Sequence, residues 1–375
     1  MIVFGTLSIT LLIGAGQGAV LALMLLFAPT NVVANRFLAF FILAVASMVT
    51  PYIIGFAGFY DAYPWLSFAP FSTGLAFGPL FYFYCLALTG GQLPERWRLH
   101  FAPYAVQFLA QALVFPLPLA AKNWWDDVAY APVISPALTI ASLVSVALYA
   151  RLAWQRYSGY REFLEANRTD GAVFDPAWIR NALLAVGGMG FVWGGFFLAD
   201  MIDPSRNYFD RFWMYVGLCF LAIYLGVEGW RNARLSYPEL EIKPVQRPSV
   251  TAPSDVTTDR DWSAQANAWA SEVDVRELWR DPDLTLASLA KSLGTNTTYL
   301  SKALNEGLGV TFSAFVNGRR VDEVKRQLAD ANVSADILTI AMAAGFNSKA
   351  SFNRAFGAIV GTTPSAFRRE AGLKP

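Results

Sequence analysis

The chain has 375 residues, of which 55% are hydrophobic and only 15% charged, with a positive mean hydropathy of +0.37. Those values exclude an ordinary soluble composition and suit a chain that crosses a membrane several times. A net charge of +1 excludes a global basic field for nucleic acid, and one histidine (His100) excludes histidine-based metal clusters.

Length leaves room for two or three domains, and charge divides the chain. Residues 1–230 carry 11 Lys+Arg and 12 Asp+Glu, whereas residues 231–375 carry 18 and 16. The two cysteines, Cys85 and Cys219, lie inside apolar runs and read as free core thiols. Neither a metal nor a cofactor is expected.

Seven apolar stretches follow one another at roughly 3–28, 36–58, 66–88, 99–120, 131–153, 179–201 and 208–230. Each holds about 20 residues or more, enough at about 1.5 Å per residue to cross a hydrocarbon layer of about 30 Å. The first lacks a positively charged lead and is too long for a signal-peptide core, so it reads as a retained span. Gln107, Gln111, Pro116 and Pro118 interrupt the fourth. The odd loops hold eight basic residues (Arg36, Arg96, Arg98, Arg151, Arg156, Arg161, Arg168, Arg180) and the even loops three (Lys122, Arg206, Arg211). Basic loops stay in the cytoplasm. This predicts an N-terminus outside and a C-terminus inside, in the cytoplasmic (inner) membrane.

Trp65, Trp97, Trp124, Trp125, Trp178, Trp213 and Trp230 fall near span ends, as an interfacial belt requires. Gly14-x-x-x-Gly18 and Gly190-x-x-x-Gly194 are expected to pack helices within the chain rather than to form a dimer seam. Among polar groups in the spans, Gln17, Gln107 and Gln111 are a candidate ligand pocket, while Asp200 and Glu228 are expected to reach headgroups.

Hydrophobicity collapses after Trp230. Residues 232–261 carry Pro238, Pro244, Pro248 and Pro253 among Ser, Thr and Asp, the composition of a solvated cytoplasmic linker. Some 30 such residues have a root-mean-square span of roughly 30 Å.

From Trp262 the pattern is helical, and a repeat appears. Leu286, Leu289, Ala290, Gly294 and Asn296 recur at an offset of 51 as Ile337, Ile340, Ala341, Gly345 and Asn347. In each copy a short helix ends at a glycine suited to a left-handed turn, and an Asn is expected to cap the next helix. A second helix that leaves a tight turn in this way is the arrangement of a helix-turn-helix. Leu300 and Leu304, and likewise Phe352 and Phe356, face inward at i, i+4 spacing. Thr298, Tyr299, Ser301 and Lys302, and likewise Lys349, Ala350, Asn353 and Arg354, are left outward, where they can meet base edges or phosphates. Asn296, Thr297, Asn347 and Ser348 are the candidate helix caps and phosphate contacts. A connecting helix from Phe312 to about Ala331 buries Phe315, Val316, Val321, Val324 and Leu328, and presents Arg319, Arg320, Lys325 and Arg326 on its surface.

The Gly345-Phe346 turn, the Phe352-x-Arg354-x-Phe356 run and Gly361-x-Thr363-Pro364-Ser365-x-Phe367-Arg368 resemble the signature of the AraC/XylS family of transcriptional regulators. The likeness covers about 265–372. It implies two helix-turn-helix units joined by a long helix, with both recognition helices in successive major-groove segments. Carried over residue by residue, it places base reading on Thr298, Ser301 and Lys302, and on Lys349, Ala350, Asn353 and Arg354. Ala350 departs from the polar residue common there, and the first unit is less typical than the second. Residues 283–375 hold 11 Lys+Arg against 7 Asp+Glu, a modest excess for a domain that binds firmly as a pair or at low salt.

The predicted fold is therefore all-α: a seven-helix transmembrane bundle over 1–231, the linker over 232–261, and a domain with two helix-turn-helix units over 262–375. The expected function is a membrane-embedded, sequence-specific transcription regulator that couples a small-molecule or membrane signal to promoter binding. Its expected partners are double-stranded promoter DNA, the lipid bilayer, RNA polymerase and a second copy of the chain as a homodimer. A transporter or membrane enzyme with an appended DNA-binding head is the alternative. Against it stand the absence of HExxH, GxSxG or Walker motifs and of paired broken spans.

Overall fold

The computed structural model describes residues 2–168, 177–203, 205–234, 261–330, 333 and 335–370. Among them all regular structure is helical, with one isolated antiparallel bridge between Arg168 and Thr285. The chain divides into two units, one of residues 1–158 and 176–240, the other of residues 159–175 and 241–375. Most of the proline-rich segment, 235–260, lies outside the described residues.

The first unit contains α1 (Thr6–Leu26), α2 (Val32–Phe56), a single turn α3 (Phe59–Ala62), α4 (Gly74–Leu88), α5 (Ala102–Val114), α6 (Leu119–Trp125), α7 (Ser135–Asn167) as far as Ser158, α8 (Ala177–Ile202) and α9 (Phe212–Asn232). Among the described residues, five runs are long and apolar enough to cross a membrane: α1, α2, Leu119–Leu164, α8 and Tyr208–Asn232. Each of the seven apolar stretches contains a helix, but two fall short of the expected length. Pro70 and the left-handed backbone of Phe68 (φ 65°) keep the third from starting before Gly74, so α4 has 15 residues. Pro116 and Pro118 follow α5 and hold it to 13 residues, because proline lacks the N–H that would continue the helix. The fifth stretch is longer than expected. α6 runs into α7 through nine residues of wider winding, Asp126–Ile134, which contain Pro132.

α1 packs on α2 and α9, and α2 packs on α4 and α9. Small residues permit the close approach. A Cβ added at Gly14 would lie 2.7 Å from the Cβ of Cys219, and one at Gly226 would lie 2.7 Å from that of Leu21. Gly190 and Gly194 face Val146 and Leu143 of α7, at 3.5 and 3.8 Å from the added Cβ. Both glycine pairs thus serve contacts within one chain. Leu11, Leu25, Leu38, Phe41, Phe83 and Leu225 are fully buried in the resulting core, and Cys85 and Cys219 are buried free thiols.

The outer surface inverts the usual rule. On α5, Gln107 and Gln111 are buried, while Val106, Leu109 and Leu113 are exposed by 67%, 60% and 74%. Phe191 on α8 and Phe220 on α9 are exposed as well. Of the tryptophans, Trp65, Trp124 and Trp213 are exposed, whereas Trp178 is buried and Trp97 packs edge-on against Phe37.

The second unit contains α10 (Trp262–Val275), α11 (Leu286–Ser292), α12 (Thr297–Lys302), α13 (Phe312–Leu328), α14 (Ile337–Ala343), α15 (Lys349–Val360) and α16 (Pro364–Glu370). It has two cores, and α13 belongs to both. Phe312, Phe315 and Val316 lie with Leu289, Leu300 and Leu304 in the first core. Val321, Val324 and Leu328 lie with Ile340, Phe352 and Phe356 in the second.

Between the two halves of α13 sits Arg320. It is 1% exposed rather than on the surface as expected, and it donates to the carbonyls of Trp279 at 2.7 Å and Asp281 at 2.6 Å. Its guanidinium also lies over the Phe346 ring. A charge so buried must be matched by acceptors, and the turn before α11 supplies them. The other basic residues of α13 are in ion pairs: Arg319 with Asp274, Lys325 with Asp322 and Arg326 with Glu323.

Candidate nucleic-acid interface

The repeat extends to individual hydrogen bonds. After α11, Gly294 adopts φ +65°, and the Thr295 and Gly294 amides donate to Ala290 O and Lys291 O at 2.9 and 3.2 Å. After α14, Gly345 adopts φ +92°, and Phe346 and Gly345 donate to Ala341 O and Met342 O at 3.1 and 3.0 Å. Both helices therefore end in the same left-handed stop. At Gly345 space adds to conformation, because a Cβ there would lie 2.7 Å from Arg280 O and 2.8 Å from Trp279 O.

The copies diverge at the next residue. Asn296 caps α12, its side chain accepting from Tyr299 N at 2.9 Å. α15 is capped by Ser348, which accepts from Ser351 N at 3.1 Å, and not by Asn347 as the repeat suggested. The second turn is one residue longer, since Phe346 drops into the core beside Phe352. Beyond the turn the repeat offset is consequently 52, and it pairs Thr297 with Lys349, Thr298 with Ala350, Ser301 with Asn353 and Lys302 with Arg354.

Thr297, Thr298, Lys302, Lys349, Ala350, Asn353 and Arg354 are exposed, and Ser301 is half-buried with its hydroxyl accepting from Asn305. Tyr299 is exposed too, with its ring 6.0 Å from that of Trp262. Its counterpart Ser351 is buried against Ser348, so the two helices differ at this position. Beside α15 lies a groove of about 780 Å³ where Lys349 and Asn353 meet Thr362 and Ser365. Ser365 belongs to the signature, in which Thr362 occupies a variable position.

The remaining signature arginine is structural. Arg368 donates from α16 to Ala335 O and Val333 O at 3.0 and 3.1 Å, which fixes the chain just before α14. Glu323 on α13 joins the two halves from outside, accepting from Arg280, Arg326 and Gln327 at 3.1, 2.8 and 2.7 Å. The Arg326 bond, with help from Gln327 and Arg280, holds its carboxyl down at about 2.

The three glutamines of the first unit do not share one place. Gln17 is exposed on α1, whereas Gln107 and Gln111 are buried on α5. Gln107 lines a cavity of about 600 Å³ that Gln17 does not reach. Asp200 lines the same cavity, ion-paired to Arg206 and Arg211 at 3.3 and 2.9 Å. It is therefore held by arginines of the chain rather than left for headgroups. Glu228 pairs with Arg231 at 2.7 Å. Arginine spacing after the sixth span was the available signal for the Asp200 cluster.

Comparison with known proteins places the likeness in the same region. The helix-turn-helix domain family matches residues 289–370. An HTH-type transcriptional regulator of Staphylococcus aureus strain MSSA476 is 37% identical over 95 residues, which is 25% of this chain and 12% of that protein. The chain thus spans about an eighth of the length of such relatives. The probable transcription factor PqrA of Proteus vulgaris is 32% identical over 99 residues, 26% of this chain and 79% of that protein. No solved structure matches. With two helix-turn-helix units built alike around a shared helix, and with these relatives, the chain belongs to the AraC/XylS-type family of helix-turn-helix transcriptional regulators.

Proposed function

We propose that this DNA-binding regulator is embedded in a membrane and couples a signal received there to promoter binding. In this reading the N-terminus is outside and residues 262–375 hang in the cytoplasm from the proline-rich linker. α12 and α15 enter successive major-groove segments, where Thr298, Ser301, Lys302, Lys349, Ala350, Asn353 and Arg354 meet bases. RNA polymerase is the expected partner at the promoter, and pairing of two copies is the expected mode of firm binding.

One observation carries the membrane part. α5 buries Gln107 and Gln111 and turns Val106, Leu109 and Leu113 outward. Water would favour the reverse, whereas hydrocarbon favours this arrangement. The uneven loop charges support the orientation.

Fractionation and reporter fusions test the placement. The protein should stay with membranes through an alkaline wash, and a fluorescent reporter after Pro375 should be active in the cytoplasm. Release as a soluble species, or a periplasmic reporter, would overturn it. Replacing residues 1–231 by an unrelated anchor tests the coupling, and promoter control that stays unchanged in all conditions would reduce the membrane domain to a tether.

A further inference from the structure

We infer that the cavity of the first unit is a binding site for a small amphipathic organic acid: a carboxylate, an aromatic or short alkyl body, and a hydrogen-bond donor at the far end. This rests on the proposed coupling only for its biological role, since the site itself stands on the cavity's chemistry.

Its volume of about 600 Å³ is in the range that encloses a small-molecule ligand. The walls combine Trp193, Phe196, Phe197 and Tyr208 with the stacked pair Tyr52 and Tyr215, whose centroids are 3.6 Å apart. Such walls suit a flat or apolar body.

Four buried polar atoms on or beside those walls lack hydrogen-bond partners: Gln107 Oε1, Asp200 Oδ1, Arg206 Nε and Arg211 Nε. Gln107 is 8% exposed, lines the cavity, and leaves its Oε1 without a donor. Arg211 Nε and Arg206 Nε are both buried without an acceptor. Asp200 is shared between the two guanidiniums, taking Arg211 Nη2 at 2.9 Å and Arg206 Nε at 3.3 Å, and the longer contact lacks hydrogen-bond alignment. Asp203, close by, is occupied by the Ser205 amide and hydroxyl at 3.1 and 2.5 Å. Asp200 is thus the carboxylate that touches both guanidiniums, and the Nε–H of each is left without an aligned acceptor. A carboxylate brought by a ligand would supply acceptors to those N–H groups, and arginine is the side chain best shaped to receive it. At the other end Gln107 Oε1 asks for a hydroxyl or N–H, because a buried acceptor without a donor is costly.

The full-length protein in lipid nanodiscs provides the test, with 4-hydroxyphenylacetate as the probe and Trp193 fluorescence and calorimetry as readouts. Saturable binding is expected. Tyramine, which keeps the ring and hydroxyl but replaces the carboxylate with an ammonium, should bind at least tenfold more weakly. Phenylacetate should bind more weakly than its hydroxylated form, and Gln107→Leu should abolish that preference. Arg211→Gln should weaken the acid at least tenfold, with Arg206→Gln as the second variant if the first does not fold. Tetradecanoate placed in the bilayer distinguishes the source: displacement of the probe would mean that the acid arrives from lipid rather than from water.

Tyramine binding as tightly as the acid would overturn the proposal, and so would no saturable binding of either acid up to millimolar concentration. Adding promoter DNA to the same nanodiscs separates the two readings. Acid binding that leaves DNA affinity unchanged would keep the site and remove the sensing role.

Discussion

The Arg320 guanidinium reaches Trp279 O at 2.7 Å, and a Cβ placed on Gly345 would touch that same oxygen at 2.8 Å. The turn that holds Trp279 is thus the point where the two helix-turn-helix units are locked together. Arg280 adds to the lock by pairing with Glu323 on α13 at 3.1 Å and donating to Ala343 O at the end of α14 at 3.3 Å. The relative placement of α12 and α15 depends on this turn as much as on α13.

Residues 262–375, which hold both cores, should fold alone as a helical unit by circular dichroism. In that fragment Arg320→Met should lower the stability to urea by about 2–3 kcal/mol, since hydrogen bonds to charged groups contribute about 1.5–3 kcal/mol. Arg326→Ala, which removes an ion pair from an exposed guanidinium, should change stability much less. Equal losses from the two substitutions would show that Arg320 is not the tie described.

Two glycines with the same backbone conformation should respond differently to alanine. Gly294 has open space around its missing Cβ, so Gly294→Ala should cost only the left-handed backbone penalty of about 1–2 kcal/mol. Gly345→Ala adds a clash with two backbone oxygens and should cost about 2–4 kcal/mol, the extra part being overpacking. Urea midpoints of the two variants read the difference directly.

Local pattern made the DNA-binding half legible down to single residues. Leu300, Leu304, Phe352 and Phe356 are buried as their spacing required, and both glycine stops formed where the repeat placed them. Arg320 was misplaced because a basic residue was assigned to water by type. Its spacing held the answer, since it lies four residues from both Val316 and Val324, on the buried face. Asn347 and Ser348 were both candidate caps, and the repeat favoured Asn347 because one inserted residue shifts the register only after the turn, which a fixed offset cannot show. In the membrane half, hydropathy found the apolar stretches but not the late start at Gly74, whereas Pro116 and Pro118 had already marked the fourth as interrupted. It also could not bring Gln107 and Asp200 to one cavity, because that depends on how α5 and α8 are placed in space.

Acid should loosen the joint at Glu323. Its carboxyl is held at about 2 in the folded chain, chiefly by the Arg326 bond, against about 4.3 for a free glutamate. The unfolded chain therefore takes up the proton first. The contribution is fully present above about pH 4.5 and is lost as the pH falls toward 2. In urea titrations of the fragment, Glu323→Gln should be less stable than wild type by about 1 kcal/mol at pH 7, and the gap should close as the pH falls toward 2. A gap that persists unchanged into acid would assign the effect to packing.

The recognition assignments separate by sequence dependence and by salt. Arg354→Ala and Lys302→Ala should each weaken promoter binding by about 1–3 kcal/mol if they read bases, with the loss concentrated on the cognate site. A residue that meets only phosphate would instead weaken all sequences alike and reduce the salt slope by about one unit. Titrations of cognate and scrambled duplexes at two salt concentrations distinguish the cases. Ala350→Ser serves as the internal comparison, because Ala350 is exposed between Lys349 and the buried Ser351 and offers a base only a methyl group. Restoring a hydroxyl there should alter preference at one base position and leave the salt slope unchanged. Wild-type affinity in Arg354→Ala and Lys302→Ala would remove both from the reading face.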